Sequence, residues 1–364
     1  MWFEDDHGEL IPGLPQEREG AEAFILGAGF SHAISEAMPV VADLIEPLDQ
    51  FLASQPGFSS ATVPRPDNVE LFLSALAMPQ PYLTPSENHR NQALFLEVAQ
   101  WLARFVFERQ REALSQAVPS WLESLLRTWH SRRSAVVSFN YDTLIESAVM
   151  SLTYLNQSTR ERIMPHFTYA TPVRFAAGEL GGISDPYHPT KPTFTLCKLH
   201  GSLSWWRSGS SRGEPTDREV WKDTFKEGGG QADWSDVAQR GVLGEPMLVP
   251  PTFAKSDYFD TDVLRVNWRR ARFGIEKAAT IVVMGYSVPE ADVQMAALLG
   301  ASTRSQQILV VDLDPNAIVG RIAKAALPRG GVVRPFESKT DAPIREWATE
   351  WTSDPDGLYA QPSF

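Results

Sequence analysis

"VVSFNYDTLIESA" runs from Val136 to Ala148. Small and apolar residues up to Ser138 read as a buried strand, which ends abruptly in Phe139-Asn140-Tyr141-Asp142 before an amphipathic helix begins. The stretch therefore sets an amide, a phenol and a carboxylate at the carboxyl end of a core strand. In an open parallel sheet that edge is where ligands bind. The same residues also suit a purely local role, with Asn140 as a turn former and Asp142 as a helix N-cap.

Working outward, five more runs have the same form. They are "AFILGAG" (23–29), "FTLCKLHG" (194–201), "TIVVMGYS" (280–287), "QILVVDLD" (307–314) and "GVVRPF" (331–336). Each is of strand length and bounded by turn formers, and most lead into a helical pattern. Strand-length apolar runs alternating with helices predict an α/β fold, a doubly wound, Rossmann-like parallel sheet. Residues 40–133 read as helical throughout, including "NQALFLEVAQWLARFVFERQREAL" (91–114). That is too much helix for one crossover, so an inserted helical layer is expected. Residues 155–192 and 203–246 are rich in Gly, Pro, Ser, Trp and charge and read as irregular excursions from a single domain spanning 1–364.

Composition narrows the function classes. The 364 residues are 43% hydrophobic and 21% charged, enough for a sizeable core and too apolar for wholesale disorder. A net charge of −12 argues against direct nucleic-acid binding. The arginines 265, 269, 270 and 272 read as a solvated helix face. One cysteine, Cys197, excludes an internal disulfide framework and any cysteine-based zinc ribbon, so no metal is expected. The opening residues are acidic where a signal peptide would be basic, and no apolar run approaches the ~18 residues of a membrane span. These features predict a soluble cytoplasmic protein with no membrane partner.

Four further strand ends carry chemistry. Gly27-Ala28-Gly29 permits a tight strand-to-helix turn whose amides could approach a phosphate, with Phe30 and Ser31 opening the helix. His32 stands where a third glycine is usual, and the alternative reading is a tight turn packed on its neighbour strand. His200-Gly201-Ser202 ends another strand, and an imidazole there can serve as a general base. Gly285-Tyr286-Ser287 ends a fourth, and Asp312 a fifth. A carboxylate at such an edge can take ribose hydroxyls, whereas Asp312 and Asp314 before Pro315 also suit helix capping.

In this order, GAGFS, FNYD, KLHGS, GYS and VDLD, the chain resembles the sirtuin-like NAD-consuming family, in its bacterial antiphage-defence branch, over about residues 23–315. The resemblance implies that Gly27, Ala28, Gly29, Phe30 and Ser31 cradle the pyrophosphate of NAD. It places Asn140, Tyr141 and Asp142 at the nicotinamide ribose, His200 as the catalytic histidine, and Gly285, Ser287 and Asp312 at the adenosine half. It also implies regulation in trans, by a HerA-type translocase ATPase or an Argonaute-like protein, or by rearrangement of a homo-oligomer. The helical layer is the expected contact surface.

Departures from the family pattern bear on the reaction. Lysine-deacylating sirtuins carry a four-cysteine zinc ribbon after the histidine, but residues 203–246 hold no cysteine. Where the family has an FGE-containing strand that pairs with acyl-lysine peptide, this chain has "LVPPTFAKS" (248–256). Pro39 leading into "VVADL" replaces the acidic-aromatic-basic stretch after the glycine turn. The expected reaction is therefore hydrolysis of NAD+ to nicotinamide and ADP-ribose, through an oxocarbenium-like state akin to that of glycoside hydrolysis. Asn140 would hold the water or a ribose hydroxyl, His200 would accept the proton, and Asp142 would orient or cap. The alternatives are a deacylase or ADP-ribosyltransferase built on the same floor, and a non-enzymatic nucleotide-sensing module.

Overall fold

The computed structural model describes residues 2–4, 10–12, 22–55, 68–152, 168–170, 193–207, 245–253, 255, 261–303, 306–326 and 331–356. In chain order the strands are β1 (Trp2–Glu4), β2 (Leu10–Pro12), β3 (Glu22–Leu26), β4 (Ala135–Ser138), β5 (Thr195–Lys198), β6 (Gly201–Arg207), β7 (Glu245–Leu248), β8 (Thr280–Met284), β9 (Gln307–Val311) and β10 (Val332–Pro335). The helices are α1 (Ala28–Ile34), α2 (Ile45–Ser54), α3 (Val69–Ala77), α4 (Pro85–Leu114), α5 (Ser120–Arg132), α6 (Leu144–Ser151), α7 (Asp262–Lys277), α8 (Val293–Ser302), α9 (Pro315–Ala326) and α10 (Pro343–Ser353).

All six apolar runs are strands of one parallel sheet, ordered β10-β9-β8-β3-β4-β5. The chain winds outward from β3 through β4 to β5, returns to β8 on the other side of β3, and winds outward again to β10. That is the doubly wound order with its switch point between β3 and β8. Both faces are covered from β5 across to β9, which is why those strands read as largely apolar runs rather than alternating ones, while the edge strand β10 is partly exposed. Phe24, Leu26, Val136, Leu196, Val282 and Met284 face a cluster with Trp121, Trp129, Trp347 and Trp351 from α5 and α10. Ala23, Ile25, Val137, Cys197, Ile281 and Val283 face the other way, onto α7, α8 and α9. A bidentate pair from Arg132 to Glu22, at 2.8 and 2.7 Å, ties the end of α5 to the start of β3.

Helices α2, α3 and α4 share a third apolar cluster, built on Leu48, Leu52, Phe72, Leu73, Phe95, Leu102 and Phe107, which also takes in Leu144 and Leu203. Local signals start these helices. Asn68 caps α3, and Thr84 with Glu87 forms a capping box ahead of Pro85 on α4. The helical stretch 40–133 thus divides, since α5 packs on the sheet and only α2–α4 form a separate layer. Of the two excursions, residues 155–167, 171–192 and 208–244 lie outside the described residues. The ends of the second are not irregular, because β6 and β7 pair antiparallel there. Among the described residues no helix is long and apolar enough to cross a membrane.

Candidate active site

Register brings the strand ends level. Leu26 pairs with both Ser138 and Met284, Ser138 with Lys198, and Met284 with Val311. The residues that follow therefore emerge along one edge. At the switch point two backbones touch. The Gly29 amide donates to the Gly285 carbonyl at 2.9 Å, and a Cβ on Gly29 would lie 2.8 Å from Gly285 Cα. Gly285 has a φ of +60°, and a Cβ there would lie 2.3 Å from the Phe30 nitrogen. Close packing of these two turns thus requires glycine at both positions, whatever binds above them. The amides of Gly27, Gly29 and Phe30 are all taken by protein carbonyls. Three of the five amides in the Gly27–Ser31 run are thus engaged within the protein. Phe30 turns its side chain into the core. Its ring is fully buried against Trp121 and Trp129 as part of the core.

The FNYD loop answers the polar cluster of the sequence. Asn140 Nδ2 donates to the Gly27 carbonyl and to Ser31 Oγ, both at 2.8 Å. Ser31 in turn donates to Asp142 Oδ2 at 2.6 Å, while Asp142 Oδ1 accepts the Leu144 amide at 3.1 Å. Asp142 therefore serves α6 locally and the glycine turn at long range. Lys198, 1% exposed, lies beneath the loop. Its ammonium donates to the Asp142 carbonyl and pairs with Glu146 at 3.0 Å. Tyr169 also donates to Glu146, and burial together with that carboxylate pushes its phenol well above its usual pKa.

His200 is 6% exposed. The ring meets Phe139 edge-on at 4.9 Å and lies 6.4 Å from the Tyr141 ring. Nε2 is 3.4 Å from Asp292 Oδ1 and 3.4 Å from Lys255 Nζ. Burial lowers the imidazole pKa; Asp292 opposes this and Lys255 adds to it. The Lys255 ammonium pairs with Asp292 Oδ1, and the Tyr286 hydroxyl donates to Oδ2 at 2.8 Å. Burial alone would raise the Asp292 carboxyl, but His200 and Lys255 outweigh it and hold it well below the ordinary carboxylate range. Lys255 is carried by a loop anchored on α3, where Ser74 Oγ accepts the Phe253 amide at 2.8 Å.

A cavity of about 760 Å³ opens above this edge, roofed by Leu44, Leu102, Val106 and Glu70 of the helical layer and its approach. It falls within the ~300–1,000 Å³ of small-molecule sites. Every expected site residue except Phe30 borders it. Asp312 does so while its Oδ1 accepts the Asp314 amide at 3.2 Å, and burial raises its pKa. Asp314 takes the capping role, accepting the Ala317 amide at 3.4 Å. Ser287 is exposed, and its carbonyl accepts from Arg321. Among the described residues no group of three or more His, Cys, Asp and Glu side chains is placed to hold a metal ion.

Sequence reasoning missed Lys255, Asp292, Tyr286 and Glu70. All four border the cavity. Lys255 and Asp292 stand alone in loop-like stretches, and nothing in their spacing marks them as partners of His200. The one available signal was the position of Tyr286, directly after the Gly285 turn.

No family model and no curated protein matches the chain. Among solved structures, one described as "Structural Basis for the Mechanism and Regulation of Sir2 Enzymes" aligns at 13% identity over 93% of this chain and 94% of that chain, with a TM-score of 0.37. A likeness of that degree decides nothing about residues or chemistry. The fold class rests on the strand order itself.

Proposed function

We propose that this protein hydrolyses NAD+ at the nicotinamide–ribose bond, releasing nicotinamide and ADP-ribose. One observation carries the reading. The Asn140–Ser31–Asp142 network and His200 face a single cavity at the switch point of a doubly wound sheet. Dinucleotides bind at such crevices as a rule. The motif order GAGFS, FNYD, KLHGS, GYS and VDLD supports NAD+ as the dinucleotide.

In the proposed reaction the bond from ribose C1′ to the nicotinamide nitrogen breaks, and its electron pair leaves with neutral nicotinamide. Water donates an electron pair to C1′, and its surplus proton passes to His200 and then to solvent. Nicotinamide is a good leaving group, so no protein acid is required. The protein's task is to orient the water and shield the cation. Asn140 suits the first task, because its amide is held by Gly27 and Ser31 and cannot swing away. The aromatic pair Phe139 and Tyr286, stacked at 4.3 Å, suits the second. His200 is suited to act as base because burial favours its neutral form.

The reading treats the chain as one NAD-binding domain with α2–α4 inserted. It makes the protein an antiphage-defence effector that depletes NAD+ once activated. The activator is a HerA-type ATPase, an Argonaute-like protein or a rearranged homo-oligomer acting on the helical layer. Exposed Leu71 and Leu96, on α3 and α4, offer that layer a contact face.

Calorimetry with NAD+ and chromatography of the products test the reading. Binding is expected, with nicotinamide and ADP-ribose formed in equal amounts without peptide. Nicotinamide release only on addition of an acetylated peptide would favour a deacylase, and no NAD+ binding would end the proposal.

A further inference from the structure

We propose that Asp292 is a positioning residue for His200, fixed in place by Lys255 and Tyr286. The proposal rests on the reading of His200 as the base of the NAD+-cleaving site. The four side chains come from three separate segments: His200 follows β5, Lys255 follows β7, and Tyr286 and Asp292 both lie on the connection from β8 to α8. Their meeting point is buried, with Asp292 5% and Lys255 2% exposed. Both carboxylate oxygens of Asp292 are engaged. Oδ1 takes the Lys255 ammonium and lies 3.4 Å from His200 Nε2, while Oδ2 takes the Tyr286 hydroxyl. The carboxylate therefore cannot rotate without losing a partner on each side.

Its chemical effect follows from imidazole tautomerism. A neutral imidazole carries one N–H and one lone pair, and the hydrogen bond made by one nitrogen decides the state of the other. If Nε2–H is donated to Asp292, the lone pair lies on Nδ1. A base needs its lone pair on the nitrogen turned away from the Lys255–Asp292 pair, and only that donation leaves it there. The same division of labour holds wherever a buried carboxylate orients a catalytic histidine. With His200, Lys255 offsets the burial that by itself would raise the Asp292 carboxyl. Phe139 sets the plane of the His200 ring edge-on, and its own ring is stacked on Tyr286.

The titratable groups around His200 are Asp292, Lys255, Tyr286 and Tyr141, with Glu70 of α3 acting on Asp292 and on Tyr286. Asp292 is the anion nearest the ring and Lys255 the nearest cation. Neutralising each should therefore move His200 in opposite directions. A buried ion pair with a merely structural role would shift stability but not the ring tautomer.

The test is nitrogen NMR of the full chain labelled at histidine, with the His200 signals assigned by their loss in His200→Gln. In wild type the neutral ring is expected as the Nε2–H tautomer. Its titration midpoint should fall in Asp292→Asn and rise in Lys255→Met. NAD+ cleavage by Asp292→Asn should lose about 10²-fold in kcat, the lower end of the range for general-base function. Little change in KM is expected, and the acid limb of kcat/KM should move to lower pH. An Nδ1–H ring in wild type, accepting from Lys255, would overturn the proposal. So would midpoints unmoved in both variants. The wild-type tautomer needs no change within the pair, so the proposal stays falsifiable even if both variants misfold. It is read without NAD+, so a protein that does not cleave NAD+ sinks the functional reading and leaves this result to be judged on its own.

Discussion

Asn140 and Ser31 are 109 residues apart in sequence, yet Asn140 Nδ2 donates to Ser31 Oγ at 2.8 Å. The bond joins the loop after β4 to the first turn of α1, across the carboxyl edge of two adjacent strands. A side chain that only formed a turn would have no need of it.

Asn140→Ala removes this bond and the one to the Gly27 carbonyl. The half-buried site should lose about 1–3 kcal/mol of stability, the usual penalty when a partner is deleted. Most NAD+ cleavage should go with it. Asn140→Asp should be worse for stability, because it aims a carboxylate at a carbonyl oxygen close to Asp142. Thermal melts beside a nicotinamide assay separate the two effects. Wild-type turnover from folded Asn140→Ala would remove Asn140 from the mechanism.

The two turns at the switch point should fail together. A Cβ on Gly29 meets Gly285 Cα at 2.8 Å, and one on Gly285 meets the Phe30 nitrogen at 2.3 Å from a left-handed backbone. Gly29→Ala should cost about 1–3 kcal/mol, as other overpacked sites do. Gly285→Ala should cost more, since it adds backbone strain to the clash. Urea midpoints order the two. Equal and negligible losses would mean that the turns separate easily, and the glycines would then have to be explained by a ligand.

Lys198→Met should be among the most destabilising single changes outside the apolar core. It leaves Glu146, 1% exposed, with a buried charge, and it strands the Asp142 carbonyl. Removing one member of a buried pair typically costs about 3–5 kcal/mol. Adding Glu146→Leu to Lys198→Met should recover part of that loss. A double-mutant cycle that shows simple additivity would contradict the pairing.

Acid should weaken the fold through His200. Burial holds its folded pKa below the ordinary 6.5, with Lys255 adding and Asp292 opposing. Between the folded value and 6.5 the unfolded chain binds more protons, so stability is fully present above 6.5 and declines as pH falls through the folded value. Asp292 has a depressed carboxyl, and its contribution is lost only as pH falls below its ordinary 3.8. Urea midpoints at pH 7.5 and 5.5 should therefore drop further in wild type than in His200→Gln. Identical drops would show that His200 does not titrate with unfolding.

The sequence by itself determined the sheet. Strands buried on both faces are apolar along most of their length, and that demand is local, so Phe24–Leu26, Val136–Val137 and Val282–Met284 announce themselves without reference to any partner. It also determined which strand ends carry polar groups, because Asn140, His200 and Asp312 interrupt those runs where the chain must turn. Only the tertiary structure decided what those groups meet. Strand order and register are set by pairing between distant segments, and they alone bring Ser31 to Asn140 and Gly29 to Gly285. Burial has the same long-range origin. Phe30 follows a glycine turn in the sequence, yet in the fold its ring fills a space between two tryptophans. Lys255 and Asp292 read as ordinary loop charges, and each became part of the site only when other segments closed around His200 and excluded water, which is what makes a charge matter there.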